Sequence, residues 1–180
     1  MKVNGTPTRS IWRVEAQPVV EIIDQTALPH AYRILRLASL EDAAHAIRSM
    51  QVRGAPLIGA TAAYGIALAL ARNADDGALT SAAATLGATR PTAVNLHWAL
   101  ARMQQHLAPL PVAARTEAAW REAAAINDED VAQNRAIGEH DDETGLYRRD
   151  IRCGDGDGPG RGDRIVDGVG DRALASGHEP

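Results

Sequence analysis

The spacing of apolar positions changes once along the chain. Up to about residue 38 they come in short runs rich in β-branched residues: "SIWRVE" (Ser10–Glu15), "VVEIID" (Val19–Asp24) and "AYRILRL" (Ala31–Leu37). Runs of this length, separated by turn candidates such as "AQP", predict strands. Connections this short predict an antiparallel meander, because a parallel crossover needs about a dozen residues or more.

From Ser39 onward the period is helical. Leu40, Ala43, Ala44, Ile47 and Met50 fall on one face, and Ser39 followed by Asp42 reads as a capping-box-like start. A second helix is predicted from Pro56 to about Asn73, since proline is favoured where a helix begins. A third covers roughly Gly77–Leu86. A fourth follows "ATRP", with Thr92 as candidate cap and Leu96, Leu100, Met103 and Leu107 as its stripe. A fifth runs from Val112 to Ile137, and Gly138 is its expected stop. The fold class is therefore α+β: a short antiparallel β-meander followed by a bundle of about five helices. On the fifth helix Trp120, Ala124, Asn127, Val131 and Asn134 share a face. The two asparagines there are expected to hydrogen-bond within a packing interface; a place in a site is the alternative.

Residues 54–71 form 18 consecutive uncharged positions, which touches the lower limit for a membrane helix. Gly54, Pro56, Gly59, Thr61, Tyr64 and Gly65 interrupt the run, and much of the rest is alanine. A helix apolar all round is also what the centre of a helical domain requires, so the run reads as a buried helix and not as a span. Its front end carries chemistry. A helix N-terminus offers unpaired N–H groups and a positive dipole end to an anion. Arg53 adds a bidentate cation there, and Gly54 allows close approach. An arginine that caps a neighbour or pairs with a carboxylate is the equal alternative. "ATRPTAVN" (Ala88–Asn95) repeats the arrangement. Arg90 precedes a proline, so it is extended, and a helix start follows. The two arginines are expected to converge on one anion.

Composition adds bounds. A chain of 180 residues with 45% hydrophobic content supports one domain, or one and part of another. A net charge of −4 gives no reason to expect nucleic acid or an anionic membrane as partner. One cysteine makes no internal disulfide, and "MKVNGTPTRSIW" lacks the apolar core of a signal peptide; a reducing, cytoplasmic setting is expected. No metal is expected, because the six histidines show no zinc spacing. Nor is a dinucleotide cofactor, because no G-x-G-x-x-G occurs.

Residues 1–140 carry 13 basic and 13 acidic side chains, whereas 141–180 carry 6 arginines against 10 acids and 9 of the 16 glycines. Residues 141–180 are accordingly expected to be a disordered tail. Eighteen arginines against one lysine point to a GC-rich coding sequence, in which a shifted frame would yield such a tail. Its "RGD" (Arg161–Asp163) lacks an export signal to support it. Asp155 and Asp157 lack the rest of a calcium loop.

"MKVNGTPTRSIWR", "IIDQTALPH", "LEDAAHAIRSMQVRGAPLIGATAAYGIALAL", "ATRPTAVNLHWAL" and "INDEDVAQNRAIGEH" occur in this order. Together they resemble the N-terminal domain of the methylthioribose-1-phosphate isomerase family, over about residues 1–140. The resemblance implies an aldose–ketose isomerase of methionine salvage that acts on a sugar phosphate, without a metal or organic cofactor. It also implies a Rossmann-like second domain, a site between the domains, and a homodimer. By motif, Arg53, Gly54, Ala55 and Arg90 match substrate-binding positions. The resemblance ends after "IGEH" (Ile137–His140). The family's "THCN"-like strand and its later aspartate have no counterpart, so no catalytic residue is assigned and Cys153 does not inherit the role. The Rossmann-like domain is expected to be missing, and this chain to be inactive alone. Two relatives supply alternatives: non-catalytic regulatory subunits of a translation-initiation exchange factor, and ribose-1,5-bisphosphate isomerase.

Overall fold

The computed structural model describes residues 2–3 and 6–144. Residues 141–144, the first four of the tail expected to be disordered, continue the last helix; the rest of that tail, with Cys153, Asp155, Asp157 and the Arg161–Asp163 tripeptide, lies outside the described residues. The chain opens with two short antiparallel strands, β1 (Lys2–Val3) and β2 (Thr6–Pro7), a pairing the strand prediction did not include. β3 (Ile11–Arg13), β4 (Val20–Ile23) and β5 (Ile34–Leu37) then form the predicted antiparallel meander in the order β3-β4-β5. Each strand is shorter than its apolar run. In register, Ile11 faces Ile22 and Val20 faces Leu37, and all four are buried. The opposite face is polar: Trp12 Nε1 donates to Glu21 at 3.0 Å, and Arg36 pairs with the same carboxylate at 3.3 Å.

Five helices follow: α1 (Leu40–Arg48), α2 (Ala55–Leu70), α3 (Asp76–Gly87), α4 (Val94–Leu107) and α5 (Val112–Thr144). Ser39 caps α1 by accepting from the Asp42 N–H at 3.1 Å, and Asp42 reaches back to the Ala38 N–H at 2.9 Å. Asp75 caps α3 through the Ala78 N–H at 2.6 Å. Three expectations fail locally. α4 is entered through Ala93 with no side-chain cap, so Thr92 does not play that part. Met50 lies beyond α1, 44% exposed with φ 60°, and Ala46 takes its place on the buried face. Gly138 does not stop α5, which runs on to Thr144. A glycine within a helix costs about 1 kcal/mol, and it ends the helix only when the chain turns left-handed there.

α2 is the centre. Twelve of its 16 residues are buried, and α1, α3, α4 and α5 all pack on it. Small residues permit this. A Cβ on Gly59 would stand 3.0 Å from the Asn95 carbonyl of α4, and one on Gly65 would stand 3.1 Å from Ala43 of α1 and Leu86 of α3. No helix among the described residues is long and apolar enough to cross a membrane.

Polar ties fix the outer helices. Buried Arg115 of α5 donates to the Leu107, Ala108 and Leu110 carbonyls at the end of α4 at 3.0–3.1 Å. It also reaches Ala74 at 3.1 Å and pairs with Asp76 at 2.6 Å. It thereby satisfies carbonyls that a helix end leaves without partners. Asn127 is buried and donates to the Ile11 carbonyl of β3 at 3.3 Å, as expected of a packing asparagine. Asn134 is exposed and bonds within its own turn, to Asp130. Burial pushes the Tyr64 phenol up, against a hydrogen bond with Asn127.

Two predictions follow from these contacts. Gly65→Val drives branched methyls into Ala43 and Leu86 and should destabilise the fold by about 1–3 kcal/mol, read as a lower urea midpoint. Asp24 is buried between strand and turn. Hydrogen bonds from the Thr26 hydroxyl and N–H, with Arg33 nearby, hold its carboxyl below its ordinary value of 3.8. The resulting stability is present above that value and is lost as the pH falls through the lowered folded pKa. Asp24→Asn should therefore unfold more readily at neutral pH and show a flatter stability profile below about pH 4 in acid titration by circular dichroism.

Candidate functional site

The loop before α2 is built by the way α1 ends. The Gln51 N–H donates to the Ala46 carbonyl at 3.0 Å and the Met50 N–H to Ile47 at 3.3 Å, with Met50 left-handed at φ 60°. This is a Schellman closure with methionine where glycine is usual. Val52 then anchors the chain in the core, and Arg53 emerges exposed. Gln25 holds this loop from the meander side. Its side-chain carbonyl accepts from the Arg53 N–H at 2.6 Å, and its own N–H donates to Gln51 at 2.9 Å. Gly54 enters α2 at φ 88°, ψ 133°. A Cβ there would meet nothing within 4 Å, so the demand for glycine is conformational and not steric.

The second loop leads into α4. Arg90 is half-buried in a turn closed by the Ala93 N–H on its carbonyl at 3.0 Å. His97 steadies the turn by a ring-nitrogen contact with the Pro91 carbonyl at 2.9 Å. The fold brings the two loops together: Arg53, Gly54, Ala55 and Arg90 line one cavity of about 510 Å³, with Met50 and Asn95. Ser39 and Asp75 cap α1 and α3, whereas α2 and α4 have no side-chain cap. Both of these uncapped starts open on this cavity, so their N–H groups remain available to an anion.

The charge balance favours the same cavity. Among the described residues no carboxylate pairs with Arg53 or Arg90; the Arg53 Nε makes only a 3.4 Å contact with the Met50 carbonyl. A larger cavity of about 560 Å³ also holds two arginines, Arg9 and Arg135. These are already neutralised, Arg9 by Asp128 and Arg135 by Glu139 at 2.7 Å. Two unpaired guanidiniums beside uncapped helix starts attract an anion more strongly than paired ones do, so size is the poorer guide. Among the described residues no cluster of histidine, cysteine or carboxylate could hold a metal.

The profile of the Initiation factor 2 subunit family matches residues 51–144, which contain both loops and the three helices around them. The chain belongs to this family. Methylthioribose-1-phosphate isomerase of Dechloromonas aromatica is 64% identical over 140 residues, 78% of this chain and 39% of that relative. An uncharacterised protein of Rhodospirillum rubrum is 59% identical over 140 residues and is covered to 76% of its length. Among solved structures, the delta subunit of translation initiation factor eIF-2B from A. fulgidus superposes with a TM-score of 0.70 at 36% identity, over 77% of this chain and 42% of that one. 5-Methylthioribose 1-phosphate isomerase from Pyrococcus horikoshii gives a TM-score of 0.63 at 35% identity, over 68% of this chain and 36% of that one. This chain therefore spans about two fifths of the length of the isomerases it matches.

Within this member of the family, motif reading identified the two arginine loops, and the fold sets them side by side. It missed Gln25, Met50 and Asn95. Gln25 stands in a quoted motif, "IIDQT", but nothing local indicates that its amide reaches a loop 28 positions away. Gly54→Ala should test the loop's geometry. It forces a side chain into a conformation costing about 1–3 kcal/mol, with no steric clash to blame. Urea denaturation should register that loss as a lower midpoint.

Proposed function

We propose that this chain is the N-terminal, substrate-holding part of an S-methyl-5-thioribose-1-phosphate isomerase, which converts an aldose phosphate to the ketose in methionine salvage. The observation that carries the reading is the cavity in which Arg53, Gly54, Ala55 and Arg90 meet two uncapped helix starts. The phosphate is held there by bidentate guanidiniums and backbone N–H groups. The 64% identity to a protein of that name supports this substrate over other sugar phosphates. A cytoplasmic setting and a homodimer belong to the same reading.

Holding is separate from turnover. Moving a proton between adjacent carbons needs a positioned acid–base group in a site poor in water. The described lining of the cavity has two guanidiniums and no carboxylate, histidine, cysteine or lysine. The chain by itself binds sugar phosphate and does not isomerise it. This also favours a second reading, a binding module without turnover. The superposition on the initiation-factor delta subunit is in keeping with that reading.

Thermal unfolding of the full 180-residue chain with methylthioribose 1-phosphate is the test. At about 100 times the Kd the stabilisation should be about 2.7 kcal/mol. Arg53→Ala and Arg90→Ala should each weaken binding by roughly tenfold or more, the loss of a charge-assisted hydrogen bond. No stabilisation by this ester would overturn the proposal, and stronger stabilisation by ribose 1,5-bisphosphate would reassign the substrate. Turnover at the rate of a complete enzyme would refute the separation of holding from chemistry.

A further inference from the structure

Met50 stands where glycine is usual. Its φ of 60° closes the end of α1, a conformation that is costly for a residue with a Cβ and free for glycine. Strain of this kind points to a use for the side chain that bears it. Met50 is 44% exposed and lines the arginine cavity beside Arg53 and Gly54. Met103 of α4, by contrast, is fully buried. The fold thus keeps one thioether in contact with water and another in its core.

An exposed thioether is open to hydrogen peroxide, which converts it to the sulfoxide. A sulfur lone pair attacks one peroxide oxygen, and the O–O bond breaks as the S–O bond forms. The departing hydroxide takes the proton of the transferred oxygen and leaves as water. Sulfur gives up two electrons and the peroxide gains them. An apolar group with a weak acceptor becomes a polar one with an exposed oxygen. At residue 50 that oxygen has a donor at hand. The Arg53 Nε already reaches the Met50 carbonyl at 3.4 Å, and no carboxylate among the described residues pairs with this guanidinium.

We propose that Met50 is a reversible oxidation site, and that its sulfoxide weakens anion binding in the arginine cavity by occupying N–H groups of Arg53. Peroxide is the co-reactant, and methionine sulfoxide reductases, one for each sulfur epimer, reverse the step. The selective oxidation of Met50 rests on its exposure against the burial of Met103. The effect on binding rests in addition on the sugar-phosphate reading of the cavity. Diverting one hydrogen bond from the ester corresponds to a loss of roughly three- to tenfold in affinity.

The test treats the full chain with hydrogen peroxide in a Cys153→Ser background, which removes its single thiol. Peptide mass spectrometry should find Met50 as the sulfoxide while Met103 remains a thioether. Calorimetry with methylthioribose 1-phosphate should show Kd rising roughly three- to tenfold on oxidation and returning after reductase treatment. Met50→Leu, checked for folding by circular dichroism, should give one Kd before and after peroxide, whatever its starting value. Met50→Gly, which suits the left-handed backbone, should do the same. Oxidation of Met103 at the pace of Met50 overturns the site. A Kd unmoved by complete oxidation of Met50, or moved as far in both Met50 variants, overturns its effect on the cavity while the sugar-phosphate reading stands. Absence of binding by the untreated chain removes that reading and the effect on binding together.

Discussion

The close approach of α2 to its neighbours is the constraint on which the rest depends. A helix buried on nearly every side has no amphipathic face to orient it, so its position is set by where neighbours come closest. Gly59 and Gly65 are those points, one against the α4 backbone and one against α1 and α3. Because Gly59 lies one turn inside α2, its contact with the Asn95 carbonyl brings the first turns of α2 and α4 together. The arginine loops immediately precede those turns. The packing that fills the core thus also forms the cavity.

Polar groups then keep these helices from sliding. Arg115 collects the carbonyls at the far end of α4 and joins them to the α2–α3 connection. At the near end, Gln25 ties the Arg53 loop to the meander, and Asn127 ties α5 to β3. Each spans elements distant in sequence, and each satisfies a backbone group that would otherwise be costly to bury. Of the three ties, the Gln25 hydrogen bond is the one that reaches the Arg53 loop itself.

Two of the three positive-φ residues among the described residues line the same cavity; the third, Ala16, lies in the β3–β4 turn. Met50 is left-handed without being glycine, and Gly54 adopts a positive φ four residues later. Conformations of this kind persist where the surroundings over-determine them. Here the Schellman closure, the buried Val52 and the Gln25 hydrogen bonds do so. Their joint effect is to turn the chain sharply from α1 into α2 and to leave Arg53 facing outward.

By itself the sequence determined what depends on near neighbours. Period-2 and helical spacing located the three meander strands and all five helices, and Ser39 with Asp42 marked the α1 start, because these are local preferences. Pro56 and the uncharged run marked α2 as a buried helix. The Asn4-Gly5 pair is a hairpin signal between β1 and β2 that apolar spacing alone does not carry. Local signals misled at Thr92, Met50 and Gly138, where the outcome turns on the path of the following chain. Only the tertiary structure decided which arginines remain without a carboxylate, that Gln25 braces the Arg53 loop, and that Met50 stands exposed in the lining of their cavity. Those facts depend on contacts between residues far apart in the chain, and pairing across such distances leaves no periodicity to read.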